Sequence, residues 1–290
     1  MDSPAVTTLL LNLPHFLGSL LVVWVVSRIF PTLLGNFLVL AWLASGALMF
    51  HRPTERVVAK FVYKVRAPTG AELAKLQPLW DEVARRAGVD GSRYDLWIED
   101  SDEVNAFGAA GHIVAVTRHS LDRFPRDRLS AVLAHELGHH VHGHAWSGLL
   151  GVYYSLPARI VMTIVKYVVI FAVVLAAEFA ILGAVVLALL IVIVAIAVAL
   201  AFPPALALFA IPLLLPWASR RGELRADRFA GEIGYGPLLI AVFTAELKQG
   251  AATEEEQGAL ARLMSTHPPL HTRIVALEPF AAGPPGSRSS

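Results

Sequence analysis

The chain has 290 residues, of which 56% are hydrophobic and only 16% charged, with a mean hydropathy of +0.58; this is too apolar for an ordinary soluble domain of its size. It contains no cysteine, which excludes disulfides and Cys-ligated metal sites, so metal ligands must come from His, Asp and Glu. A formal net charge of +1 argues against a bulk nucleic-acid-binding surface and predicts no nucleic-acid partner.

In chain order, Leu9 to Val26 is apolar apart from Asn12, His15 and a few small hydroxyl residues, and Phe30 to Phe50 carries no charged residue. Each is long enough to cross about 30 Å of hydrocarbon at helical rise. Arg28, Pro31 and Gly35 mark a tight turn between them, so residues 1–50 read as an N-terminal transmembrane hairpin. Met1-Asp2-Ser3 has no basic side chain and a second span follows at once, which favours retained anchors over a cleaved signal peptide. Arg52, Arg56, Lys60, Lys64 and Arg66 come next, against a lone Arg28 in the first loop. By the positive-inside rule the region after Phe50, and with it both termini, faces the cytoplasm of a cell (inner or plasma) membrane protein.

Residues 51–147 and 218–290 are polar enough to fold in water as one domain of roughly 170 residues, interrupted by a membrane insertion at 148–217. Within the first part, Leu73, Leu76, Leu79, Trp80 and Val83 give Ala71 to Ala87 a helical period, with Thr69 near its start. Arg93 to Glu99 and Ile113 to Thr117 read as strands. Between them, Asn105-Ala106-Phe107-Gly108 forms a short segment flanked by Gly. It reads either as an ordinary hairpin strand or as an exposed edge to which an extended peptide substrate adds by backbone pairing.

Pro125, Asp127 and Ser130 favour a helix start, and Leu129, Val132, Leu133 and Leu137 run as an apolar stripe through His135-Glu136-Leu137-Gly138-His139. On a helix, positions i and i+4 share a face. His135 and His139 can therefore reach one ion, with Glu136 about 100° round the axis beside it. Two neutral imidazoles and one further ligand leave Zn²⁺ an open position for water, whose proton the adjacent carboxylate can take. His140, His142 and His144 crowd the end of this helix and read as solvated residues whose imidazolium suits the negative helix terminus.

Tyr167 to Trp217 contains one charged residue, Glu178, and is too long for a single span. An outer turn at Glu178 to Gly183 leaves Ile160 to Ala177 and Ala184 to Phe202 as spans of about 27 to 29 Å; a turn at Pro203-Pro204 is the competing reading. Glu178 is then an interfacial turn residue or an intramembrane functional acid. Arg159, Arg220, Arg221 and Arg225 return to the cytoplasmic side.

The third ligand cannot come from a His-rich extension of the motif, because His142 and Ala145 stand where that pattern needs Gly and His. Glu223-Leu224-Arg225-Ala226-Asp227 instead places two carboxylates on one helical face, Glu223 as ligand and Asp227 to accept a hydrogen bond from a ligand imidazole. The tail from Ala281 to Ser290, rich in Gly, Pro and Ser, reads as disordered.

Residues 131–139, Ser219 to Asp227 and Thr266 to Ile274, with Asn105-Ala106-Phe107 ahead of them, occur in the order found in the HtpX-type membrane metalloproteases, which the chain resembles; these are related to the CAAX prenyl proteases. The fold class expected is thus mainly α, α+β: a multi-pass membrane protein whose gluzincin-type zinc metalloprotease domain is interrupted by a transmembrane helical hairpin. The resemblance implies one Zn²⁺ per chain held by His135, His139 and Glu223, Glu136 as catalytic base, and a cytosol-facing site that cleaves damaged membrane proteins. It further implies that His267 steadies the oxyanion with Arg273 nearby. Two rival readings, a zinc transporter or sensor and a catalytically silent zinc-binding scaffold, stay open at this point.

Overall fold

A computed structural model describes residues 3–102, 106–177, 219–256 and 268–282, with scattered positions between 183 and 217. Asn105, Glu178, Pro203-Pro204, His267 and residues 283–290, which figured in the sequence expectations, lie outside the described residues.

The helices are α1 (Ser3–Ser27), α2 (Thr32–Ser45, continued by a 3-10 turn Gly46–Phe50), α3 (Arg52–Phe61), α4 (Gly70–Ala87), α5 (Arg118–Arg123), α6 (Arg126–Val141) and α7 (His144–Ala177). Helix α8 follows over residues 219–230, then a π-helical turn Gly231–Tyr235, α9 (Gly236–Glu256) and α10 (Leu270–Leu277). Strands β1 (Val65–Arg66), β2 (Asp95–Glu99), β3 (Ala106–Ala110) and β4 (Ile113–Thr117) complete the elements. The chain divides into two compact units: Met1–Thr8, Ala47–Leu149 and Leu215–Ser290 form one, Leu9–Gly46 and Leu150–Leu214 the other.

In the first unit the four strands lie in the order β1-β2-β4-β3, with β2 and β4 parallel and the outer pairs antiparallel. β4 is buried along its whole length, as its β-branched sequence demands of a central strand. β3 is the terminal strand, and its register with β4 shifts between Gly108 and Ala110, a bulge of the kind that bends an edge. The core joins Leu76, Trp80 and Val83 of α4 to Ile98, Val114 and Val116 of the sheet and to Leu129, Leu133 and Leu137 of α6. α4 starts one residue earlier than expected, at Gly70, because Thr69 and Glu72 close a reciprocal capping box. β2 starts at Asp95 rather than Arg93, since Asp90 caps a 3-10 turn over Gly91–Arg93.

In the second unit polar side chains make helix-to-helix bonds. Ser19 Oγ accepts from the Ala158 backbone N–H at 3.0 Å, next to Pro157, and Tyr154 donates to the Leu43 carbonyl at 2.6 Å. Phe16 stacks on Trp42, and the Tyr154 ring meets both edge-on at 5.4 Å. Helices that meet in hydrocarbon use such polar and small-residue contacts, since burying apolar side chains gains nothing there. Among the described residues, two helices are long and apolar enough to cross a membrane, Thr32–Phe50 and Trp146–Leu175; Asn12–Ser27 is a shorter apolar helix. α7 is unbroken from His144 to Ala177 and carries Pro157 and Arg159 inside it.

Candidate metal centre

α6 begins after Pro125 and carries its apolar stripe inward, so His135 and Glu136 are drawn into the first unit with Leu133 and Leu137. α8 crosses close by. A Cβ on Gly138 would lie 2.9 Å from the Ala226 Cα, and only a glycine at the third position after His135 allows the two backbones this approach. Glu223 and Asp227, one turn apart on α8, are thereby delivered to the imidazoles of α6.

The donor atoms form a tight triangle. His135 Nε2 and His139 Nε2 are 3.2 Å apart, His139 Nε2 and Glu223 Oε1 3.3 Å, and His135 Nε2 and Glu223 Oε2 3.6 Å. Ligands bound about 2.1 Å from a tetrahedral ion stand roughly 3.4 Å from one another, so the residues present fit a zinc ion. Among the described residues, His135, His139 and Glu223 are the group that brings three such atoms within 4.8 Å.

Behind the triangle, Asp227 Oδ1 accepts from His135 Nδ1 at 2.9 Å, which orients the ring so that Nε2 faces the other donors. Arg273 of α10 grips the same carboxylate with two bonds of 2.7 Å, extends Nη1 to 3.4 Å from Glu223 Oε2, and lies over the Phe243 ring. A buried guanidinium on a buried carboxylate is the bidentate geometry that arginine supplies and lysine does not.

Electrostatics follow from this crowding of acids. Burial disfavours the imidazolium of His135, but Asp227 and Glu223 outweigh it and push the group up to about 10. The pocket thus draws positive charge to itself, as a site for a divalent cation must. Burial also pushes the Glu136 carboxyl up, and the neighbouring His135 and His139 offset this only in part. For Asp227, burial is outweighed by Arg273 and His135, and its carboxyl is held below the ordinary range.

Of the remaining expected positions, Ala106 is buried on β3 and Phe107 is half-buried with its ring 6.1 Å from that of Tyr63. The expectation of solvated histidines at the helix end is corrected for His140, while the side chain of His144 lies outside the described residues. His140 is buried, donates from Nδ1 to the Gly111 carbonyl at 2.9 Å, and sits where a Cβ on Gly108 would meet its ring at 3.0 Å. Burial lowers it to about 4, so it is neutral near pH 7. His142 donates to the Gly138 carbonyl at 2.7 Å and meets the Phe229 ring edge-on. The signal for His140 was available, because it lies three residues after Leu137 and seven after Leu133 on the same buried stripe. Through it the motif helix is tied to the β3–β4 turn.

A buried His-Glu-x-x-His helix backed by a Glu and an Asp on a second helix defines a metallopeptidase centre. The chain belongs to peptidase family M48, which it matches over residues 71–281. It is an HtpX-like metalloprotease, similar to the proteins named Protease HtpX of Pseudomonas fluorescens (strain SBW25), 29% identical over 220 residues, and of Pseudomonas entomophila (strain L48), 28% identical over 219 residues, each match covering 68% of both chains. The Protease HtpX of Pseudomonas aeruginosa (strain LESB58) is 26% identical over 218 residues, 69% of this chain and 70% of that one.

Proposed function

We propose that this protein is a membrane-integrated, zinc-dependent endopeptidase that cleaves misassembled membrane proteins at the cytoplasmic face. The observation that carries the reading is the donor triangle of 3.2, 3.3 and 3.6 Å with Glu136 next to it on the same buried helix. His135, His139 and Glu223 hold one ion per chain. Zinc bound there supplies Lewis acidity toward water and the scissile carbonyl.

The chain's own residues do the rest. Glu136, raised by burial, takes the proton of the attacking water and returns it to the leaving amine. Asp227 keeps His135 in the Nδ1–H tautomer, and Arg273 holds Asp227 in place and balances the charge of the acids. His267 steadies the oxyanion. The substrate backbone pairs with Asn105, Ala106 and Phe107 at the edge of the sheet, where β3 is the terminal strand. Residues 1–50 and 148–217 form two transmembrane hairpins, the second inserted into a catalytic domain of residues 51–147 and 218–290.

The location of α6 outside both long apolar helices supports an enzyme over a transporter, whose ligands would line a span. The test uses full-length protein in detergent with casein or an unfolded membrane protein. Cleavage stops on chelation and returns with stoichiometric zinc, and Glu136→Gln keeps the metal but loses roughly 10²- to 10⁴-fold in rate. Cleavage by Glu136→Gln at the parental rate refutes the role of Glu136, and zinc binding without any cleavage by the parent favours a silent scaffold.

A further inference from the structure

Helix α3 is built inside out for a helix facing water. Its inward face carries a carboxylate: Glu55 is buried and accepts from both the backbone N–H and the Nδ1–H of His112, at 2.9 and 3.0 Å. Ala59, one turn on, is buried beside it. Its outward face carries Val57 and Phe61, one turn apart and 55% and 72% exposed, followed by Val62 at 62%. A water-facing helix places its charges outward and its apolar residues inward. Here the arrangement is reversed on the exposed side, and the charged residues beside the apolar pair are basic.

These cations divide into two sets. Arg52 and Arg56 are drawn to Asp95, and Arg66 to Glu72 and Asp100. Lys60 and Lys64 are exposed and form no ion pair among the described residues; Lys60 lies over the Phe61 ring at 5.6 Å. Lys64 also has a left-handed backbone, φ 57°, a conformation that glycine or asparagine adopts more readily. α3 starts two residues after the apolar helix Thr32–Phe50 ends.

We infer that α3 is an interfacial helix, lying in the headgroup plane of an anionic bilayer with Val57, Phe61 and Val62 immersed and Lys60 and Lys64 against lipid phosphates. Three observations single out lipid as the occupant. The apolar face is exposed, its unpaired charges are of the one sign that anionic headgroups attract, and the chain reaches it directly from a membrane-length helix. The Glu55–His112 bonds and the 6.1 Å contact of Tyr63 with Phe107 then couple the bilayer surface to the β3–β4 hairpin, so the terminal strand is held at a set height above the lipid. The inference uses the membrane reading but none of the zinc chemistry.

Because the chain lacks cysteine, Val57→Cys and Phe61→Cys each carry a single nitroxide on the full-length protein in phosphatidylglycerol vesicles, with Arg85→Cys on exposed α4 as the aqueous reference. The expected result is relaxation by oxygen exceeding relaxation by a water-soluble nickel chelate at residues 57 and 61, and the reverse at residue 85. In K60Q/K64Q protein the immersion at 57 and 61 decreases in phosphatidylglycerol and not in phosphatidylcholine. Nickel accessibility at 57 and 61 equal to that at 85 overturns the inference, as does label–label broadening that survives lipid dilution, which would put a second copy of the chain on this face. Zinc-stripped protein gives the same profile, so a failed metal assignment and a failed lipid assignment are read separately.

Discussion

Helices α6 and α7 follow one another in the chain and are opposite in kind. α6 turns His135 and Glu136 inward, where they meet Glu223, Asp227 and Arg273, all at most 7% exposed. α7 turns Ile160, Ile164, Val168 and Phe171 outward, at 56% exposure or more for each. Either would be costly in an ordinary soluble protein: buried charges lose their hydration, and exposed apolar surface gains none. Each helix suits a different environment: α6 a ring of opposite charges whose donor atoms fit a cation, α7 the hydrocarbon that the proposed membrane insertion gives it.

Breaking the charge ring should have the largest effect. Arg273→Met leaves the Asp227 carboxylate buried without the guanidinium that bonds it twice at 2.7 Å, and thermal unfolding of the detergent-solubilised, metal-free protein should show a loss of about 3–5 kcal/mol. An unfolding curve unchanged from the parent would mean that the acids of the site are balanced some other way.

The outward face of α7 is tested by Val168→Lys, which should cost about 2.5–3.5 kcal/mol of membrane insertion and deplete the protein from the membrane fraction. Leu73→Lys on α4, also an exposed apolar position, should change stability by no more than about 0.5 kcal/mol. Equal behaviour of the two would erase the distinction between lipid-facing and water-facing surface.

Asp227→Asn sharpens the comparison on the side of α6. It preserves shape but removes the acceptor that selects the His135 tautomer, and calorimetric titration should find zinc affinity lower by about 10- to 100-fold. A smaller effect than those at α6 belongs to the capping box of α4. Arg66 holds the Glu72 carboxyl down at about 2. A carboxyl lower in the folded state stabilises above its unfolded value near 4.3, and that contribution fades as the pH falls toward 2. Glu72→Gln should therefore cost roughly 1 kcal/mol at pH 7 and almost nothing near pH 2, read from unfolding curves at both.

Much of the site was legible because its spacing is helical. His135, His139, Glu223 and Asp227 are each pinned by an i, i+4 relation that survives in any fold, and Gly138 marks where a second helix passes. The pairing of Arg273 with Asp227 needed the fold, because nothing local ties α10 to α8. His140 was misread for a simpler reason: a histidine near a helix end resembles a capping cation until its place on the Leu133–Leu137 stripe is counted. Glu55 was overlooked among the basic residues around it, although it shares a face with Ala59 and opposes Val57 and Phe61. Both partners that bury it, the His112 backbone and ring, lie 57 residues away in the chain.

Elemental analysis of purified Glu223→Ala shows whether α6 and α8 together hold one metal ion. One zinc per chain is expected in the parent and in Glu136→Gln, and its loss in Glu223→Ala. Full zinc occupancy in Glu223→Ala would contradict that expectation.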